Sequence, residues 1–191
     1  VAGGAPGTIV SARALGLADD PCPHRQAGGR QAGLVLVARH LAAPGVTGQG
    51  SAGLERAERA ASRLSPHLAQ GTIAADEVLA AGGAGALAAG LARRAAMMRA
   101  AFAPGAGPVD ALPEGARLPE AGAGLAVLLG AETGLPVIDA AMRHIRATGW
   151  APASLRSLVL TFGTGLLGLC PRALGREMAA LFTDHDPVLH W

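Results

Sequence analysis

The chain has 191 residues, a mass of 18.9 kDa and a formal net charge of +2, a length that suits one domain with a sizeable core. All 16 basic residues are Arg, and Lys, Asn and Tyr do not occur, which excludes a lysine Schiff base, a P-loop and N-linked glycosylation. Because the Arg residues are scattered along the chain, charge alone does not indicate nucleic-acid binding.

The first half of the chain begins with an arm and continues with helices. Residues 1–23 are rich in Gly, Pro and Ala and predict a flexible arm or linker, followed by one domain over residues 24–191. The apolar spacing from residue 30 predicts a helix that ends before Pro44-Gly45. Pro66 is expected to open the next helix at its first turn. The predicted buried face of the first helix is Ala32, Leu34, Val35, Val37, Ala38 and Leu41, and a charged helical surface is predicted at Glu55, Arg56, Glu58 and Arg59.

The region from residue 72 to residue 119 predicts one or two helices and then a loop from residue 104. Gly82 and Gly83 weaken the helical pattern, and Thr72 and Glu77 are the expected end signals. The apolar run over residues 78–91 falls short of the roughly 20 residues that cross a bilayer. We therefore expect a protein without a membrane span.

The last third has the clearest helical pattern. Pro136 and Gly149 mark the start and end of a helix, and two further segments follow it. The expected apolar faces are Val137, Ala140, Ala141, Met142 and Ile145 in the first helix and Leu174, Met178, Leu181 and Phe182 in the last. No stretch alternates with a period of two residues, so the predicted fold class is all-α.

A formal GxGxxG occupies residues 163–168 behind the strand-like residues 158–160, with Asp184 about twenty residues further on, as in a dinucleotide-binding fingerprint. Pro171 falls where the phosphate-binding helix would continue. A Rossmann-type oxidoreductase stays an alternative that requires a strand over residues 158–160.

Three other chemistries are weaker. Asp184, His185, Asp186 and His190 could offer oxygen and nitrogen ligands to a metal, but no second cluster supports them and we predict no metal. His67 is too near Ser65 in the sequence to form a usual hydrolase pair, and no GxSxG occurs. Cys22 and Cys170 predict two buried thiols in a cytoplasmic protein, with a disulfide left open.

The segment Ser62-Arg63-Leu64-Ser65-Pro66 has a different character. Two hydroxyls three residues apart, an intervening Arg and a helix start would gather hydroxyls, amides and a positive dipole around one point. This arrangement suits a phosphate or pyrophosphate. The alternative is a plain helix cap by Ser62 or Ser65.

Three ordered segments resemble the photolyase and cryptochrome family. They are SRLSPHLAQGTIAADEV from Ser62, TGLPVIDAAMRHIRATGW ending at Trp150, and LFTDHDPVLHW from Leu181. The resemblance covers roughly residues 24–191. It implies an all-helical FAD-binding domain, here partial, with FAD as cofactor and damaged DNA as partner. It places Ser62, Arg63, Leu64 and Ser65 at the FAD phosphates, Trp150 beside the flavin, an Arg156–Asp184 ion pair flanking the isoalloxazine, and Asp186 near it.

The chain departs from the family pattern at several positions. Residues 151–153 read Ala-Pro-Ala where the family has Met-His-Asn, Pro171 stands at a relay Trp, and His190 stands at the Asn that faces the flavin. The resemblance therefore implies a deoxyribodipyrimidine photolyase-like, monomeric flavoprotein of the lyase class with impaired light-driven repair. The alternative from another class is a non-catalytic helical remnant or pseudoenzyme.

Overall fold

A computed structural model describes residues 13–17, 20, 22–42, 61–104 and 123–190. These ranges contain helices and turns and no strand, which confirms the predicted all-α fold. The charged surface around Glu55 and the loop after Pro104 lie outside the described residues. The helices are α1 (Arg30–Ala42), α2 (Ser65–Ala69), α3 (Ala75–Ala80), α4 (Gly85–Ala101), α5 (Ala123–Gly130), α6 (Pro136–Thr148), α7 (Ala153–Thr161), α8 (Pro171–Leu181) and α9 (Pro187–His190).

Helices α1 to α4 enclose a small apolar cluster, here called the N-terminal core, which consists of Val37, Leu64, Ile73, Val78 and Leu91. Helix α1 reaches this cluster through Gly33, where a Cβ would lie 2.9 Å from Ile73 Cγ2 and 3.1 Å from His67 Nδ1. This close approach turns α1 so that Gly33 and Val37 are buried.

The predicted face of α1 is therefore wrong in part. Leu34, Val35 and Ala38 are exposed, because the backbone of Gly33, and not the widest apolar stripe, contacts the neighbouring segment. Of the one or two helices predicted after Thr72, two are present, and the break between them includes Gly82 and Gly83. Thr72 does not cap the first of them.

The N-cap of α3 is Ala74, whose N–H donates to the Glu77 carboxylate at 2.8 Å. The Thr72 hydroxyl instead lies 2.9 Å from His67 Nδ1. Glu77 also pairs with Arg30 across the surface, and together these two donors hold the pKa of Glu77 at about 2. Glu77 thus caps the start of α3 and connects it to the start of α1.

Helices α5 to α8 enclose a larger cluster, here called the C-terminal core. Helix α6 starts at Pro136 and ends at Thr148, and Gly149 caps its end with φ 65°, as the positions of Pro136 and Gly149 predict. The Asp139 carboxylate accepts hydrogen bonds from Thr133 N–H at 2.9 Å and Gly134 N–H at 3.1 Å, and so organises the turn before α6. The buried members of the C-terminal core are Leu125, Leu128, Ala131, Ile138, Ala141, Met142, Ile145, Ala151, Leu155, Val159, Phe162, Leu174, Met178 and Phe182.

The helical faces in this half are largely as predicted. Ala141, Met142 and Ile145 are buried, and so are Leu174 and Met178. Val137 and Ala140 are exposed, because α6 buries Ile138 and Asp139 in their place.

The GxGxxG stretch does not form a dinucleotide-binding turn. Residues 158–160 lie inside α7, and a π-helical turn, Phe162–Leu166, follows. A Cβ on Gly163 would lie 2.6 Å from Leu174 Cδ2 and 3.1 Å from Leu128 Cδ2, so this glycine allows α5 and α8 to pack closely. The helix over residues 158–160 removes the Rossmann alternative.

A short segment after α8 joins the two cores through Thr183. Its N–H donates to Gly149 O at 2.8 Å, its carbonyl accepts from Gln70 Nε2 at 3.2 Å, and its hydroxyl accepts from Arg25. Asp20 in turn accepts from Arg25 at 2.8 Å, and this guanidinium lowers the pKa of Asp20 to about 2. The segment that carries Asp184 and Asp186 is thus fixed from three sides.

Both cysteines are free thiols. Cys22 is buried, as predicted, whereas Cys170 is only half-buried because it caps the exposed start of α8. None of the helices in the described ranges has the length and apolar character to span a membrane.

Candidate functional site

A cavity of about 390 Å³ lies between residues 62–68, helix α4 and the end of the described chain. Among the described residues, its walls are mainly aliphatic, and its polar groups are two serines, one histidine and one arginine. The described lining residues are His40, Ser62, Leu64, Ser65, Leu68, Ala86, Leu87, Gly90, Leu91, Arg94 and Leu189. An apolar cavity with a few convergent polar groups is the usual form of a cofactor site.

The two serine hydroxyls at this cavity both act as acceptors. Ser62 Oγ accepts from Leu64 N–H at 3.4 Å, and Ser65 Oγ accepts from Trp150 Nε1–H at 2.9 Å. A serine hydroxyl also carries one proton to donate. Both hydroxyls can therefore donate to an anion in the cavity.

Helix α2 contributes less than the sequence predicts. It begins at Ser65 with Pro66 in its first turn, as expected, but it contains only five residues. Arg63 adopts φ 55°, in the left-handed region, which lets the chain turn sharply between the two serines. The side chains of Ser62 and Ser65, more than the dipole of so short a helix, define the polar end of the cavity.

Arg94 provides the positive charge at the cavity and was missed as a site residue. Its guanidinium pairs with Asp186 at 3.0 Å, and both side chains are largely buried. Asp186 also accepts from Val188 N–H at 3.0 Å at the start of α9, which carries Leu189 into the cavity wall. The sequence of this Ala-rich helix contains no signal that distinguishes Arg94 from its neighbour Arg93.

A second ion pair lies behind this wall. Arg156 Nη1 and Nη2 donate to the two Asp184 oxygens at 3.0 and 2.7 Å, and Asp184 is only 3% exposed. Arg156 Nε also donates to Ala151 O at 2.7 Å, and the guanidinium stacks 4.1 Å from the Phe182 ring centroid. The bidentate pair has the further hydrogen bonds that make burial of an ion pair tolerable.

Trp150 links Ser65 to the turn that follows α6. The ring is 4% exposed, and the Arg63 guanidinium lies 4.6 Å from the ring centroid, within range of a cation–π contact. Thr148 Oγ1 bonds to both the N–H and the carbonyl of Trp150, which fixes the turn after Gly149. Trp150 thus supports Ser65 from behind and does not line the cavity itself.

The eight predicted cofactor residues fall into three groups. Ser62, Leu64 and Ser65 line the cavity, and Arg63 and Trp150 stand behind it. Arg156, Asp184 and Asp186 do not line it: Asp186 pairs with the lining residue Arg94, and Asp184 pairs with Arg156. Their contact with a cofactor stays a prediction. His40 and Arg94 are cavity residues that sequence reasoning did not single out.

The metal and hydrolase hypotheses gain no geometric support. Within the described ranges, no group of three or more His, Cys, Asp and Glu side chains could hold a metal ion. Ser65 bonds to Trp150, while His67 bonds to Thr72, so the two are not a catalytic pair.

These features define a helical domain with an apolar, serine- and arginine-edged cavity suited to a phosphate-bearing cofactor. A family model described as the FAD binding domain of DNA photolyase matches residues 110–191. This match confirms the resemblance drawn from the motifs over that part of the chain, and with it FAD as the implied cofactor.

Two solved structures have a similar fold. The archaeal photolyase from Sulfolobus tokodaii, solved with two FAD molecules, is 26% identical with a TM-score of 0.66, and the match covers 85% of this chain and 37% of that one. A bacterial class III photolyase from Agrobacterium tumefaciens is 20% identical with a TM-score of 0.67, covering 85% and 36%. The chain therefore spans under two fifths of these photolyases. Comparison with curated proteins gives no match.

Proposed function

We propose that this chain binds FAD in the cavity between residues 62–68 and α4, and that it acts in photolyase-type, light-driven repair of pyrimidine dimers in DNA with reduced efficiency. The observation that carries the proposal is the pair of serine hydroxyls with protons left to donate, set at an apolar cavity that also contains Arg94. FAD, when bound, would supply the light-driven electron transfer.

The donor set suits the cofactor. A dinucleotide cofactor has a negatively charged pyrophosphate between two largely apolar ring systems, so it needs hydrogen-bond donors beside aliphatic walls. Ser62 and Ser65 supply the donors, and Arg94 supplies the charge. Leu64, Leu87 and Leu91 are among the aliphatic walls. The residues present therefore fit FAD at this place.

The residues behind the cavity would act by positioning. Trp150 fixes the orientation of Ser65 through its indole N–H. The Arg156–Asp184 pair fixes the segment that leads to Asp186, and Asp186 holds both Arg94 and the start of α9. We propose that the two ion pairs set the shape of the cavity and the electrostatic field around the flavin.

The reduced efficiency is inferred from side chains that cannot act on a lesion. Ala151 and Pro152 are buried, and neither they nor Ala153 offers a polar side-chain atom. The chain is only 3% aromatic, although recognition of a flipped base relies on aromatic stacking. These features support weak recognition of damaged DNA and leave cofactor binding intact.

Cofactor binding can be tested directly. The purified chain is mixed with FAD and desalted, and the flavin absorbance retained per protein is measured. We expect the wild type to retain flavin and Ser62→Ala/Ser65→Ala to retain several-fold less. Ser157→Ala, at an exposed position on α7, is the matched control and should retain as much as the wild type. Absence of retained flavin in the wild type would overturn the proposal.

Repair is tested separately on the flavin-loaded protein. A single-stranded oligonucleotide with one cyclobutane pyrimidine dimer is illuminated with blue light, and restored thymines are quantified by chromatography. We expect slow repair that requires both light and the protein. Flavin binding without any repair would retain the cofactor proposal and reject the repair proposal.

A further inference from the structure

A second cavity, of about 290 Å³, has none of its described lining residues in common with the first. It lies where helix α6 and the end of α8 meet the segment before α1. Its described lining residues are Pro23, Arg143, Arg146, Ala147 and Leu181. Two guanidinium groups and an otherwise apolar surface therefore face one space.

The backbone of the neighbouring helix fixes both arginines. They lie three residues apart on α6, which places them on the same face. Arg143 Nη1 donates to Ala131 O at 3.4 Å, and Arg146 Nη1 donates to Leu129 O at 3.2 Å. Leu129 is in the last turn of α5, and Ala131 directly follows the helix. Each guanidinium thus has one nitrogen oriented by a carbonyl and keeps its other N–H groups for a ligand.

The charge at this cavity is positive. Among the described residues, no carboxylate lines it. Asp139, one turn before Arg143, is close enough for the two charges to interact, but its oxygens accept three hydrogen bonds from Thr133 and Gly134. The two planar guanidinium groups match the geometry of a phosphate or carboxylate better than ammonium groups would.

We infer that Arg143 and Arg146 bind a single phosphate group, supplied either by a free nucleotide or by the backbone of a nucleic acid. The apolar surface of Pro23 and Leu181 would contact the sugar attached to that phosphate. This site does not depend on FAD and is independent of the proposed function.

The test uses the whole chain in calorimetric titrations with three probes: inorganic phosphate, adenosine monophosphate and a short undamaged single-stranded oligonucleotide. We expect Arg143→Gln/Arg146→Gln to lower affinity for the bound probe at least tenfold. Arg93→Gln/Arg99→Gln removes the same charge from exposed positions on α4 and should change affinity less than twofold. Ser62→Ala/Ser65→Ala should retain this binding, which separates it from the first cavity.

The outcomes are distinct. Binding of phosphate or the monophosphate assigns the ligand to free nucleotides, and binding of the oligonucleotide alone assigns it to a nucleic-acid backbone. Equal losses in the two double Arg variants, or no binding of any probe by the wild type, would overturn the inference. If the double variant at α6 does not fold, Arg143→Lys and Arg146→Lys keep the charge and remove the planar fork, and each is expected to weaken binding several-fold.

Discussion

The two halves of the described chain differ in what they contribute. The C-terminal half, from α5 to α8, contains the larger core and the segment matched by the photolyase family model. The N-terminal half, from α1 to α4, has a core of five buried residues, yet it supplies every described lining residue of the first cavity except Leu189. The family-model match therefore lies in the C-terminal half, here called the scaffold, while most of the cavity comes from the half with the smaller core.

The largest effect is expected from removing one charge of the buried ion pair in the scaffold. Asp184→Asn leaves the Arg156 guanidinium buried opposite a neutral amide, because Asp184 is 3% exposed and binds Arg156 through both oxygens. Breaking such a pair costs roughly 3–5 kcal/mol. Urea unfolding followed by circular dichroism measures the loss.

The matched control for that variant is Glu77→Gln, which breaks the exposed Arg30–Glu77 pair in the N-terminal half. Water solvates both of these groups, so the loss should be far smaller. Equal losses in the two variants would contradict the difference that we assign to burial.

A smaller effect is expected from overpacking the scaffold. Gly163→Ala would place a methyl group 2.6 Å from Leu174 Cδ2, a side chain that is fully buried. The resulting shift of α5 or α8 should cost about 1–3 kcal/mol, again measured by urea unfolding. Gly165→Ala, in the same π-helical turn, meets nothing within 4 Å and should be nearly neutral. A loss as large in Gly165→Ala would point to the turn itself and not to the contact.

The two halves should also respond to acid at different pH. Burial lowers the pKa of His67 in the N-terminal half below its ordinary value of 6.5. Within the described ranges its Nε2 has no hydrogen-bond partner, which favours the neutral ring. The unfolded chain then binds a proton that the folded chain does not, so stability falls as the pH drops below 6.5, by at most about 1.4 kcal/mol per pH unit.

In the C-terminal half, the Thr133 hydroxyl lowers the pKa of Asp139 below its ordinary value of 3.8. The stability from Asp139 is fully present above pH 3.8 and is lost only as the pH falls through the lowered value. His67→Asn keeps a partner for the Thr72 hydroxyl and removes the titrating group. Urea unfolding at a series of pH values should show a shallower decline for this variant between pH 6.5 and 5. Identical slopes would exclude His67 as the cause.

The scaffold was the more predictable half because its sequence contains local signals. Pro136 and Gly149 bound α6, and the apolar spacing of Leu174 and Met178 gives the buried face of α8. In the N-terminal half the same kind of reasoning misplaced the buried face of α1. There the contact is made by Gly33. Because glycine has no side chain, it does not contribute to the hydrophobic pattern from which a buried face is predicted.

The cavity was predictable only in part for a related reason. The two serines could be found from their spacing around Arg63, because hydroxyls beside a helix start are a local feature. Arg94 could not, since its role depends on the segment at Asp186, 92 residues further on. Long-range pairing of this kind has no signature in one sequence.

The smallest effect on stability is expected from Gly90→Ala. This variant should separate effects on fold stability from effects on the cavity. Gly90 lies within α4, lines the cavity, and has open space where a Cβ would be. Gly90→Ala should stabilise the fold by about 0.5–1 kcal/mol, because glycine is a poor residue in a helix interior. The added methyl group would enter the cavity, so flavin affinity should fall on the order of tenfold, a loss that corresponds to about 1.4 kcal/mol. Thermal unfolding and flavin titration check the two effects, and Gly165→Ala, which is outside the cavity, should retain flavin. Unchanged flavin affinity in a stabilised Gly90→Ala protein would place the cofactor elsewhere, because a flavin bound in this cavity would lose affinity when a methyl group takes part of its space.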